Sequence, residues 1–165
     1  MTTTYDRIDQ SIRTWTHEPE KARGEPSVTA VSEGDGAVLS AAGFSWRADL
    51  SEALGGSNAA PSPTHMFLGS LAGCAVLLIK DTLAPQLRIP VDRIEATARC
   101  QTDSRGLVGI DGADPGFQRV SIDVQIDSPS GQAAVDQLSA IWSERCPIVL
   151  TVTRPTELTI TFHAV

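Results

Sequence analysis

The chain has 165 residues, 41% of them hydrophobic and 20% charged, which fits one globular domain with a core of its own. A formal charge of −7 and a pI of about 4.8 repel phosphate backbones, and no Lys/Arg run offsets them, which argues against nucleic-acid binding. The longest apolar run, Met66 to Ile79, falls short of the roughly 20 residues of a membrane span, and the acidic N-terminal stretch lacks a signal-peptide core, so a cytoplasmic protein away from the membrane is expected.

Residues 5–16, YDRIDQSIRTWT, space Ile8, Ile12 and Trp15 as one face of a short helix, and HEPEKARGEP is a connector broken by Pro19, Gly24 and Pro26. Residues 1–24 are therefore expected as an N-terminal helix and connector, and 25–165 as the main domain. SVTAVSEGDGAVLSAAGFSWRADL reads as three short strands around the turns EGDG and AG. The loop SEALGGSNAAPSP follows, and unstructured loops of that length are often functional. Ser62-Pro63 is a helix start, with a hydroxyl N-cap and proline at the first helical position. The helix is apolar nearly all round to about Leu83, which predicts burial, and Pro85 is its expected stop.

VDRIEATARCQTDS and FQRVSIDVQID alternate as long strands on either side of the glycine-rich RGLVGIDGADPG. QAAVDQLSAIWSERC is a second helix with Val135, Leu138 and Trp142 on one side, CPIVLTVTRP begins as a helical turn, and TELTITFHAV reads as a closing strand. The order predicts an α/β (α+β) fold of antiparallel sheet and buried helices, which a dimer would cover on the remaining side.

Three cysteines, an odd number in a reducing compartment, do not form a structural disulfide framework. Cys100 on its strand reads as a small buried hydrophobe. Cys74 lies about three turns into its helix, beyond the reach of the N-terminal dipole, and burial alone would raise its pKa. It is either core filler or a nucleophile that needs a cation from elsewhere. Cys146, just before Pro147 and after Arg145, is better placed for a thiolate, and spacing alone does not bring the two thiols together. No CxxC, HxxxH or HExxH occurs, so no metal is expected, and no nucleotide-binding glycine motif or GxSxG is present.

ALGGSNAAPSPTHMFLGSLAGC, PGFQRVSIDVQID and SERCPIVLTVTRPTELTI together resemble the OsmC/Ohr family, thiol peroxidases of the osmotically induced and organic hydroperoxide resistance type. The resemblance runs from about Ser27 to His163. It implies antiparallel sheets wrapped around two central helices in an intertwined homodimer, with active sites at the subunit interface. It implies Cys74 as the peroxidatic and Cys146 as the resolving cysteine, organic hydroperoxides as substrates, a dithiol or lipoyl-type reductant, and no cofactor. Family members hold the thiolate with an arginine supported by a glutamate just after the helix-starting proline. Here Thr64 and His65 stand at that place, Glu52 is the nearest acid, and Arg47, ahead of Arg145, is the candidate arginine; His65 is a candidate local cation or base. The departure leaves open a second expectation, a non-catalytic module that binds a hydrophobic small molecule or senses redox state.

Overall fold

The computed structural model describes residues 3–164. Helix α1 (Thr4–His17) starts in a capping box: the Asp6 amide donates to the Thr3 hydroxyl at 3.2 Å and the Thr3 amide to the Asp6 carboxylate at 2.8 Å. None of its residues is fully buried, and Ile12 and Trp15 of the expected apolar face stay exposed. Strands β1 (Thr29–Glu33), β2 (Gly36–Ala41) and β3 (Phe44–Ala48) form an antiparallel meander, as the alternation and turns predict. The β2–β3 turn places both Ala42 and Gly43 at positive φ, a type I′ geometry that matches strand twist. Within the chain the meander packs mainly on itself, and its large side chains Val31 and Phe44 are exposed.

Helix α2 (Pro63–Leu78) begins where expected, with Ser62 as N-cap and Pro63 in its first turn. Pro85 does not end it. The helix widens into a π turn over Ile79–Leu83 and continues as α3 (Ala84–Leu87) until Arg88 turns to φ 56°. A wide turn just ahead of proline absorbs both the missing N–H and the clash of the ring with the preceding turn. The helical run Pro63–Leu87 thus reaches 25 residues and contains an 18-residue window of mean hydropathy 1.6, long and apolar enough to cross a membrane. One flank of it is core: Leu71, Ala75, Ile79 and Leu83 are buried. The other flank departs from the expected all-round burial, with Leu77 60% exposed.

The buried flank meets the two-stranded antiparallel sheet of β4 (Arg93–Gln101) and β5 (Gln118–Asp127). Ile94, Ala96 and Ala98 of β4 and Val120, Ile122, Val124 and Ile126 of β5 pack on the core, following the period-2 pattern. Between the strands lies the short helix α4 (Ser104–Leu107). Helix α5 (Gln132–Arg145) adds Leu138 and Trp142 to the core, and α6 (Pro147–Thr153) follows at once. The expected closing strand forms no ladder in the chain: residues 154–164 run without regular structure, with Leu158, Ile160 and Phe162 exposed. Alternation prescribes a strand only where a sheet edge is within reach, and none reaches this segment.

Candidate functional site

Two helix features point the thiols at each other. On α2, Cys74 follows Leu71 by three residues and precedes Leu78 by four, so it shares the flank that packs against the core. Cys146 is at once the C-cap of α5 and the N-cap of α6, at φ −69° and ψ 114°. Proline disfavours the helical conformation in the residue before it, and Cys146, extended ahead of Pro147, ends α5 and turns the chain there. The result is a sulfur–sulfur distance of 3.1 Å with both thiols free. A disulfide bond is about 2.05 Å, so about 1 Å of approach separates the pair from bonding.

The two differ in exposure. Cys146 is fully buried and Cys74 only partly so; an outside reagent therefore meets Cys74 first. Burial and the adjacent Cys146 thiol push the Cys74 pKa up to about 11, and the Ile148 backbone N–H, directed at its sulfur, pulls the other way. No cation among the described residues contributes to that balance. A thiol raised in this way is held in its neutral form at pH 7 and needs a cation to become a nucleophile.

The supporting residues named from the sequence do not converge on Cys74 within the chain. Arg47 stands on β3 and donates to the Glu33 carboxylate at 2.9 Å across the meander. Arg145 donates to the Gln86 side chain at 2.9 Å. Glu52 is exposed on the short 3₁₀ turn Glu52–Leu54. His65 is exposed at the third position of α2, where its Nδ1 and the Ser62 hydroxyl share a 2.8 Å hydrogen bond and its amide donates to the same hydroxyl at 3.4 Å. Its ring thus pairs with the cap hydroxyl and not with the Ser62 backbone N–H that a capping-box glutamate reaches. Cys100 lies apart, at the irregularity in the β4–β5 register. No group of His, Cys, Asp and Glu suited to a metal ion occurs among the described residues.

Sequence reasoning missed two features. Phe67, two helical turns before Cys74, packs on Phe117 with ring centroids 5.0 Å apart, which joins α2 to the end of the β4–β5 connection. Asp49, buried at the end of β3, accepts hydrogen bonds from the amides of Leu50, Ser57 and Ala59 and from the Ser57 hydroxyl. An aspartate closing a strand ahead of a Gly/Ser/Asn-rich loop is the signal that identifies such a residue.

A mixed α/β fold that brings two free cysteines from different helices into contact defines a two-cysteine thiol protein. A model of the OsmC-like protein family matches residues 55–161, and the chain belongs to that family. No curated protein matches it. Among solved structures it is similar to an OsmC-like protein of Mycoplasma pneumoniae, at 17% identity and TM-score 0.66 over 79% of this chain and 88% of that one. It is also similar to an organic hydroperoxide resistance protein OsmC of Legionella pneumophila, at 17% identity and TM-score 0.57 over 78% and 89%. The organic hydroperoxide resistance protein OhrB of Bacillus subtilis matches at 18% identity and TM-score 0.51 over 79% and 91%. These likenesses establish the antiparallel sheets and packed helices as the OsmC/Ohr fold.

Proposed function

We propose that the protein is a thiol-dependent peroxidase that reduces organic hydroperoxides to alcohols in oxidative-stress defence. The observation that carries this reading is the 3.1 Å contact between a partly exposed and a fully buried thiol. Cys74 thiolate attacks the terminal peroxide oxygen, the O–O bond breaks, the alkoxide leaves as an alcohol on protonation, and Cys74 becomes a sulfenic acid. Cys146 sulfur then displaces hydroxide, which leaves as water, and forms the Cys74–Cys146 disulfide. An external dithiol or lipoyl-type reductant returns both thiols. The apolar surroundings of Cys74 favour a hydroperoxide with a hydrocarbon tail over hydrogen peroxide.

The active form in this reading is a homodimer in the cytoplasm. The exposed flank of the central helix, the exposed meander and the unpaired apolar tail favour a second copy as their cover. The same assembly is the source of the missing cation, with Arg47 of the second copy as the first choice and Glu52 and His65 as its polar company.

Intact-mass spectrometry with peptide mapping tests the proposal on reduced protein, before and after one equivalent of cumene hydroperoxide. A loss of two hydrogens mapped to Cys74–Cys146 is the expected result, and two unchanged thiols overturn it. The raised Cys74 pKa favours a second reading, a non-catalytic module that binds a hydrophobic small molecule. The pH dependence of Cys74 alkylation in the assembled protein decides between them: a midpoint well below 7 supports the peroxidase, and one near 8.5 or above supports the module.

A further inference from the structure

The three-stranded meander is joined to the thiol-bearing body through residues 49–62, and Asp49 orders that joint. Its carboxylate receives the Leu50 amide at 2.7 Å, the Ser57 amide at 3.2 Å, the Ser57 hydroxyl at 2.7 Å and the Ala59 amide at 2.8 Å. Its own amide donates to the Pro61 carbonyl at 3.3 Å, one residue before the cap of α2, and Asn58 donates to the Leu50 carbonyl at 2.9 Å. The loop is drawn in so far that a Cβ on Gly56 would lie 2.2 Å from the Leu50 carbonyl oxygen and 2.6 Å from the Asp49 carboxylate. A cavity of about 160 Å³ remains where the loop folds back against Asp35, Gly36 and Arg47 of the meander. The Asp49 carboxylate thus ties the end of β3 to the loop at Leu50, Ser57 and Ala59, and the Asp49 backbone amide carries the link on to Pro61, one residue before the cap of the Cys74 helix.

We infer that Asp49 is a positioning residue, which fixes the direction of the meander relative to α2 and so sets where Arg47, two residues earlier on the same strand, is delivered in the assembled protein. The effect on the thiol rests on the dimeric reading proposed above; the lock itself does not. Asparagine is the same size, but its amide NH₂ would face an N–H donor where the carboxylate accepts on both oxygens.

The test uses the full-length protein as assembled, with Asp49→Asn and Ser57→Ala beside wild type. Amide hydrogen exchange, read for Leu50, Ser57 and Ala59, is expected to quicken by ~10-fold or more in Asp49→Asn. The pH midpoint of Cys74 alkylation is expected to rise by about one unit, and peroxide-driven formation of the Cys74–Cys146 disulfide to slow by ~10-fold or more. Excess diamide at a pH above the alkylation midpoint, where Cys74 is ionised without a cation beside it, should still close the disulfide in the variant, and this separates a misdirected meander from a damaged body. Ser57→Ala keeps the carboxylate and removes one donor, so it should shift alkylation the same way by less; it carries the test if Asp49→Asn does not fold. An unchanged alkylation profile in the folded variants overturns the inference, even if exchange quickens. If wild type forms no disulfide with hydroperoxide while the alkylation midpoint still rises in Asp49→Asn, the peroxidase reading falls and the positioning role stands.

Discussion

Cys74 and Cys146 share a contact but not an environment. Cys74 is reachable from outside, and Cys146 is sealed in the core with Leu138 and Trp142. Cys74→Ser is therefore expected to reduce peroxide consumption to background. Cys146→Ser should instead leave a Cys74 sulfenic acid that dimedone traps and excess peroxide overoxidises. The second variant also buries a hydroxyl in place of a thiol, at a cost of about 1–3 kcal/mol if it finds no partner, so its urea midpoint should fall while that of Cys74→Ser changes little. Mass spectrometry of dimedone adducts and urea unfolding check the pair. Sequence chose these two cysteines over Cys100 through resemblance. It left open whether the sulfurs meet, because the bend at Cys146–Pro147 has direction only once α6 is laid against α2.

The elements around the site depend on particular small or charged residues. Gly56→Ala puts a methyl group into the Leu50 carbonyl and is expected to cost about 1–3 kcal/mol by overpacking, measured by chemical denaturation. Leu138→Ala, in the core between α5 and the π turn, should cost about 2–5 kcal/mol by the same assay. The Asp49 carboxyl is held at about 2 against an ordinary 3.8, first by the Ala59 amide and then by the Ser57 hydroxyl. Its folded value lies below its unfolded one, so its contribution is complete above about pH 4 and is lost as pH falls toward about 2. Unfolding free energy followed over that range should decline for wild type and decline less for Asp49→Asn. Most element boundaries were legible from period and punctuation, with the closing strand, which forms no ladder, and Pro85 as exceptions. A proline reads as a stop, and only the π turn ahead of it shows why the helix continues.

For the whole molecule, a single chain leaves Leu77, Phe44 and the tail residues Leu158, Ile160 and Phe162 in solvent, with Phe162 92% exposed. If a second copy covers them, the melting temperature should rise with protein concentration, because dimerisation stabilises by mass action. Deleting residues 155–165 should shift sedimentation from dimer toward monomer and weaken the concentration dependence. A wild-type protein that sediments as a monomer at micromolar concentration, with a melting temperature independent of concentration, would remove the dimer from the proposal.

The sequence by itself determined the class of the fold and most of its elements. Alternation in β4 and β5, the Ser62-Pro63 start of α2 and the turns of the meander are local signals, and each rests on contacts within a few residues. It also marked the two cysteines and the unusual Thr64-His65 at the helix start. Tertiary structure alone decided the rest. Only the packing of α2 against α6 brings Cys74 within 3.1 Å of Cys146. Only the folded loop shows that Asp49 gathers its donors from up to ten residues away and that Arg47 turns to Glu33 rather than to the thiol. Periodicity records which face of an element is apolar; which side chains then share that face, and what charge lies beside them, is set by contacts between segments distant in the chain.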